Sequence, residues 1–288
     1  MIVDFHCHAG IGERMTGPWD TRADLSDYLA RADRVGIRRT VVFSPFSDNY
    51  RRANRRTAAI VARYPHRLVG FACVHPARDG GKVRAMLAEA TGVLGLRGLK
   101  IHGHDAAPTR EVADSARAFR LPVLFDPVGH PAAIELLATE YPQVAWVVPH
   151  LGSFSDDWSA QRTVIDLLVR HPNVYADTSG VRRFDLLEEA IERAGANKVL
   201  FGTDGPWLHP AVELQKVFEL GLPPQSERLV LADNALRLLR TATPRAWRSH
   251  SKASPPPVVG AGVTNGLWEQ PPGLVMPASE RDGCSNRR

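Results

Sequence analysis

Two histidines two positions apart are the first residues in the chain that could do chemistry. In Val3-Asp4-Phe5-His6-Cys7-His8 the apolar density is that of a β-strand, whose side chains alternate with a period of two. His6 and His8 therefore project to one side, while Cys7 points away and reads as a packed thiol. Two neutral imidazoles side by side can chelate one divalent cation. A bare His-x-His pair suits surface or core histidines equally well, so its weight depends on whether further ligands converge on it. Farther along, ionisable residues follow short apolar stretches: Lys100 and His102, then Asp126, His150, Asp177 and Asp204. Unpaired ionisable groups are costly to bury. A metal resolves that cost, because carboxylates and neutral imidazoles are its preferred partners.

The elements that must position these residues alternate regularly. After the first strand comes a Gly- and Pro-rich loop. Thr21 then stands as the N-cap of a helix, with Asp24 three residues on as a weaker form of the capping box. Leu25, Leu29, Ala32 and Val35 give that helix one apolar face, and Gly36 closes it. Ile37 to Phe43 reads as a buried strand. The pattern then repeats, with helices over 51–64, 81–91, 109–120, 131–141, 158–171, 184–194, 211–220 and 226–240. Strands fall over 67–74, 95–101, 121–125, 143–148, 173–177 and 198–203. Eight strands, each followed by a helix, imply parallel pairing through right-handed crossovers. At about 240 residues this predicts a (β/α)8 TIM barrel, α/β in class. An open doubly wound sheet is the alternative, but no glycine-rich phosphate fingerprint follows the first strand. In a barrel the active site lies at the C-terminal ends of the strands, which is where His6, His8, Lys100, His102, Asp126, His150, Asp177 and Asp204 fall.

Composition narrows the function further. The 288 residues are 44% hydrophobic and 23% charged, as in a globular protein with a sizeable core. No apolar run approaches the roughly 18 residues of a membrane helix, and no secretory signal is apparent. The three cysteines are far apart and form no metal or disulfide pattern, so a cytoplasmic setting is expected. Three units of the +5 net charge come from the last 48 residues, with six Lys/Arg against three Asp/Glu. The remainder is nearly balanced, which argues against nucleic acid as a partner. Seven of the 22 prolines also lie in that stretch, so 241–288 is expected to be a disordered extension to a 1–240 barrel.

Taken together, Asp4-Phe5-His6-Cys7-His8, Gly98-Leu99-Lys100-Ile101-His102, Pro149-His150-Leu151-Gly152, Tyr175-Ala176-Asp177-Thr178-Ser179-Gly180 and Phe201-Gly202-Thr203-Asp204-Gly205-Pro206 resemble a known family. It is the amidohydrolase-related branch of the amidohydrolase superfamily, which includes aminocarboxymuconate-semialdehyde decarboxylase-like enzymes. The resemblance spans about residues 1–240. It implies a distorted barrel with one divalent metal ion, zinc first, held by His6, His8 and Asp204. It also implies that Asp204 handles the proton of a bound water and that His150 orients or polarises the substrate. The family commonly has a histidine ligand at the fifth strand, where Leu121-Pro122-Val123-Leu124-Phe125 here leads to Asp126. Asp126 is the expected fourth ligand, with His130 or a weak or absent metal as alternatives.

Lys100 and His102 are expected to bind substrate, the alternatives being a structural lysine paired with a neighbouring carboxylate and a solvated loop histidine. Carbamylation of Lys100, known in other branches, is the less favoured reading. His75 and His104 fit the mouth or plain solvent, Arg51 and Arg52 fit a substrate carboxylate or an exposed helix face, and Asp177 fits a supporting role. The expected activity is hydrolysis of a small amide, ester or lactone, with a carboxylate on the substrate, by metal-activated water. Decarboxylation of a small acid is the enzymatic rival, and a metal-free lactonase or a binding-only barrel is the third reading. The partner is a small molecule, and a homo-oligomer is compatible with the barrel.

Overall fold

The computed structural model describes residues 1–13 and 22–241. The chain separates into two units, Met1–Arg248 and Ser249–Arg288. Thr21 and the Pro-rich stretch beyond Thr241 lie outside the described residues.

Eight short parallel strands form the wall: β1 (Ile2–His8), β2 (Ile37–Phe43), β3 (in two segments, Leu68–Gly70 and Ala72–Cys73), β4 (Leu99–Ile101), β5 (Val123–Phe125), β6 (Trp146–Val148), β7 (Val174–Asp177) and β8 (Val199–Leu200). Their pairing runs in chain order. His8 sits opposite Phe43, Cys73 opposite Lys100, Ile101 opposite Phe125, and Asp177 opposite Leu200. The break inside β3 is where the wall changes partner. Phe71 N donates to Val42 O of β2 (2.9 Å), and Ala72 N donates to Gly98 O beside β4 (2.8 Å). The Phe71 ring lies so close to Gly98 that a Cβ there would stand 2.3 Å from it.

The wall closes between its first and last strands. Phe5 N donates to Phe201 O (2.9 Å), Asp204 N to His6 O (2.8 Å) and His8 N to Gly205 O (2.6 Å). Closure removes free edges from the sheet. Asp4 reinforces it from inside: its carboxylate accepts from Thr203 N (2.9 Å), Thr203 Oγ1 (2.6 Å), His6 N (3.0 Å) and the Tyr28 hydroxyl. Burial nevertheless pushes this carboxyl up to about 7, because the bonds only partly compensate for lost water.

Helices α1 (Leu25–Arg34), α2 (Tyr50–Arg63), α3 (Val83–Gly92), α4 (Arg110–Phe119), α5 (Ala132–Glu140), α6 (Trp158–Arg170), α7 (Phe184–Ala194) and α8 (Pro210–Glu219) follow the strands in turn. The N-cap of α1 is Asp24, whose Oδ1 accepts from Ser26 N at 2.9 Å, so the helix starts later than a cap at Thr21 would place it. Thr109, the first residue of the helix expected over 109–120, is the N-cap of α4. The last predicted helix is not continuous: α9 (Pro224–Arg228) passes through a π-turn over Leu229–Asp233 into α10 (Asn234–Thr241). Val230 O in that turn accepts from Phe201 N (2.9 Å) and so supports the strand that carries the last site residue. Among the described residues, no helix is long and apolar enough to cross a membrane.

Candidate metal centre

His6 and His8 leave β1 on the same side, as the period of two requires, and Asp204 meets them from the turn after β8. His6 Nδ1 lies 2.8 Å from Asp177 Oδ2. An ionised carboxylate only accepts, so Nδ1 carries the ring proton and Nε2 presents a lone pair. That Nε2 is buried without a hydrogen-bond partner and stands 3.4 Å from Asp204 Oδ1. His8 Nε2 reaches the same oxygen at 3.2 Å. The His6 lone pair and the carboxylate oxygen facing it repel, and a cation between them removes that conflict, whereas His8 Nε2 can donate to the same oxygen until an ion takes its place. Ligands about 2.0–2.1 Å from a tetrahedral zinc stand roughly 3.3–3.4 Å apart, which is the spacing found here. The three residues therefore fit a divalent ion, and the groups beside them resemble the carboxylate–histidine–metal relay of known sites.

The charges suit that use. Burial lowers the His8 pKa to about 4 and lowers that of His6 as well, so both imidazoles are neutral near pH 7. Burial alone would raise Asp204, but the His8 hydrogen bond and the neighbouring imidazoles outweigh it and hold the carboxyl well below its usual range. A neutral imidazole and an ionised carboxylate are the forms that ligate.

A second grouping of His6, His150 and Asp177 also lies within ligand spacing, but both oxygens of its carboxylate are already committed. Asp177 Oδ2 takes His6. Asp177 Oδ1 accepts from Ser179 Oγ (2.6 Å), Ser179 N (3.0 Å) and His150 N (3.1 Å). This buried carboxylate orients the other groups, which matches the supporting role expected from its place at the end of β7. His150 Nδ1 lies 2.8 Å from Ser179 O. A carbonyl accepts only, so the proton sits on Nδ1 and the free Nε2 of a neutral His150 is an acceptor. His150 (φ 57°) and Asp204 (φ 54°) both hold left-handed backbone, a conformation that costs roughly 1–3 kcal/mol and clusters at functional sites.

The other predicted residues fall as follows. Asp126 does not join either grouping; its Oδ1 accepts from Val128 N at 2.9 Å, forming a turn over Pro127. Lys100 is buried in the barrel with its Nζ 5.1 Å from the Phe43 ring centroid. His102 is buried and stacked on His8 (5.7 Å between ring centroids, 21° between planes). Its Nε2 lies 3.0 Å from Ser44 O, so Nδ1 holds the lone pair. Arg51 pairs with Glu89 and Arg52 with Glu13 on the exposed face of α2, so neither reaches the centre. His104 stands against Phe46 (6.0 Å), His75 lies 3.9 Å from Asp105, and His130 is exposed in its loop. Cys7 is buried and free.

The family sequence profile described as "Amidohydrolase" matches residues 3–241, from the strand bearing His6 and His8 through α10. The chain belongs to the amidohydrolase family. No curated protein matches it. Among solved structures, this amidohydrolase is similar to 5-carboxyvanillate decarboxylase from Sphingomonas paucimobilis, with a TM-score of 0.64 and 16% identity over 83% of this chain and 98% of that one. It is also similar to a putative 2-pyrone-4,6-dicarboxylic acid hydrolase from Pseudomonas putida (TM-score 0.66, 19% identity, 83% and 97%). A third is 2,6-dihydroxybenzoate decarboxylase from Rhizobium (TM-score 0.62, 18% identity, 83% and 98%). These likenesses establish a shared barrel.

Sequence reasoning missed three residues of the amidohydrolase site. Ser179 bridges His6 and His150 through its hydroxyl, 3.1 Å from Nδ1 of each. Phe43 packs its ring against both His6 (5.2 Å) and His8 (4.7 Å), and Trp207 lies 4.5 Å from His8. Phe43 ends β2 as His8 ends β1, so its position was the available signal.

Proposed function

We propose that this amidohydrolase is a metal-dependent hydrolase of small amide, ester or lactone substrates. One observation carries the reading: His6 Nε2 and His8 Nε2 converge on a single Asp204 oxygen at 3.4 and 3.2 Å, while Asp177 fixes the proton of His6 on the opposite nitrogen. His6, His8 and Asp204 would hold the ion, zinc first, and Asp126 is not needed to complete this set. When bound, such an ion supplies Lewis-acid polarisation of a carbonyl and lowers the pKa of water toward ~7.

The chain's own groups do the rest. Asp204, ionised and facing the centre, takes the proton of the attacking water and passes it to the leaving group. The resemblance implies that His150 orients or polarises the substrate. With Nδ1 committed to Ser179 O, only a protonated His150 donates from Nε2; the neutral ring accepts a proton instead. Asp177 and Ser179 hold both rings in register. Phe43 and Trp207 cover His8 and keep bulk water from its outer face.

Decarboxylation of a small acid is the second reading. It is supported by the likeness to two decarboxylases over the same 83% of the chain as to a hydrolase. Metal analysis of purified protein tests both: one divalent ion per chain is expected in wild type, and none in a His6→Ala/His8→Ala double variant. A metal-free wild type would sink both readings. Parallel assays of acid release from esters and lactones, and of carbon dioxide release from acids, then separate them. Carbon dioxide release without any ester or lactone cleavage would favour the lyase.

A further inference from the structure

Glu213 lies buried in the first turn of α8, and its Oε2 accepts from Gly180 N at 2.9 Å. The same oxygen is 2.7 Å from Lys216 Nζ, one turn on. That ammonium donates to Val181 O (2.8 Å) and Thr178 O (3.2 Å) as well. An ion pair on one helix thus grips three peptide groups of the turn that follows β7. Neither residue belongs to the His6–His8–Asp204 grouping.

One of those peptide groups is the one His150 leans on. Ser179 C=O and Gly180 N–H are the two ends of a single planar, trans unit, so they point in opposite directions. On one side Ser179 O takes the Nδ1 proton of His150 at 2.8 Å; on the other Gly180 N gives its proton to Glu213. A Cβ at Gly180 would stand 3.3 Å from His150 Nδ1 and 2.6 Å from the Phe154 ring, so the unit packs directly against the histidine. Turned over, it would offer His150 an N–H in place of a carbonyl and Glu213 a carbonyl in place of an N–H. A buried carboxylate therefore resists that flip. Hydrogen bonds in such a chain polarise one another, and an ionised acceptor at its end strengthens them. The Ser179 hydroxyl, 3.1 Å from the same His150 nitrogen, donates to Asp177 and adds only a second acceptor.

We propose that Glu213 is a positioning residue for His150, acting through the Ser179–Gly180 peptide group. Each of the two histidines that meet at Ser179 then has its own buried carboxylate: Asp177 holds His6 directly, and Glu213 holds His150 at one remove. The importance of this for turnover rests on the role given to His150 above; the chain of hydrogen bonds does not depend on it.

The test is proton and nitrogen magnetic resonance of full-length, 15N-labelled wild type, Glu213→Gln and Glu213→Ala at pH 8.5, well above the ~6.5 of a free imidazole. His150→Gln and His6→Gln samples assign the two ring signals. Wild type is expected to show His150 with its proton on Nδ1. In Glu213→Gln the amide oxygen still accepts from Gly180 N, so that tautomer is expected to persist. The Gly180 amide proton and the His150 Nδ1 proton should both move upfield, because the charge is gone. Glu213→Ala should move the His150 proton further, while the His6 Nδ1 proton, held by Asp177, stays in place in both variants. A His150 proton unmoved in Glu213→Gln overturns the proposal, and so does equal movement of the His6 and His150 protons, which marks a general loosening. If Glu213→Ala does not fold, Glu213→Gln decides by the same criteria. Zinc content of the same wild-type sample separates this from the metal reading: a metal-free protein whose His150 proton still follows Glu213 keeps the positioning role and loses only the metal.

Discussion

Asp177→Asn separates an orienting carboxylate from a metal ligand. In the native site Oδ1 accepts from two backbone N–H groups, those of His150 and Ser179, and from the Ser179 hydroxyl. The amide oxygen of an asparagine must stay on that side, because its NH2 cannot accept. The NH2 then faces His6 Nδ1, 2.8 Å away in the native pair. It can only donate, so it drives the ring proton to Nε2, the atom that faces Asp204. Metal binding must then expel that proton or break the new bond. Loss of such an orienting partner weakens metal affinity roughly 10–100-fold, about 1.4–2.8 kcal/mol. The assay is zinc competition against a chromophoric chelator, with circular dichroism to confirm the fold. Unchanged affinity would show that the tautomer argument is wrong. Complete loss of stoichiometric zinc would make Asp177 itself a ligand and favour the His6–His150–Asp177 grouping.

Two further outcomes are expected. His8 has a folded-state pKa of about 4 against ~6.5 for a free imidazole, so the unfolded chain binds more protons between those values. Its contribution to stability is full above ~6.5 and is lost as the pH falls toward 4. Asp4, pushed up to about 7, works in the opposite sense over the same range, so a comparison is needed to isolate His8. In chelator-treated protein, the unfolding free energy of wild type minus that of His8→Gln should shrink by about 2 kcal/mol from pH 7.5 to pH 5. A constant difference would mean His8 is not held neutral. Gly103→Ala should cost about 3 kcal/mol or more, because its Cβ would stand 1.9 Å from Asp126 O and 2.6 Å from Val128 Cγ2. A melting temperature within 2 °C of wild type would show that the loop after β5 yields freely.

The period of two and the strand-to-helix alternation were enough to place His6, His8, His150 and Asp204 at one end of a barrel, because those signals depend only on residue type and spacing. Hydrogen-bond direction is different information. That Asp177 holds the proton of His6, or that Ser179 O takes that of His150, depends on which atoms meet after closure. Asp126 shows a local competition that strand-end reasoning overlooks. It precedes Pro127, and a short acidic side chain before proline tends to bond the backbone two residues on. Val128 N collects its Oδ1 for that reason. Likewise α1 is capped by Asp24, whose side chain accepts from Ser26 N in the first turn.

The bonds that shut the barrel are also the bonds that build the centre. Asp204 N donates to His6 O, and Asp4 holds Thr203 across 199 positions of chain. Contacts of such sequence separation form late, since their loop-closure entropy must be met before they stabilise anything. During synthesis His6 and His8 emerge long before Asp204, so the candidate ligand set is complete only once Asp204 has been made and β8 has docked on β1. Ion capture by this grouping would thus be tied to closure of the barrel, and an occupied centre would mark a chain whose first and last strands have already met.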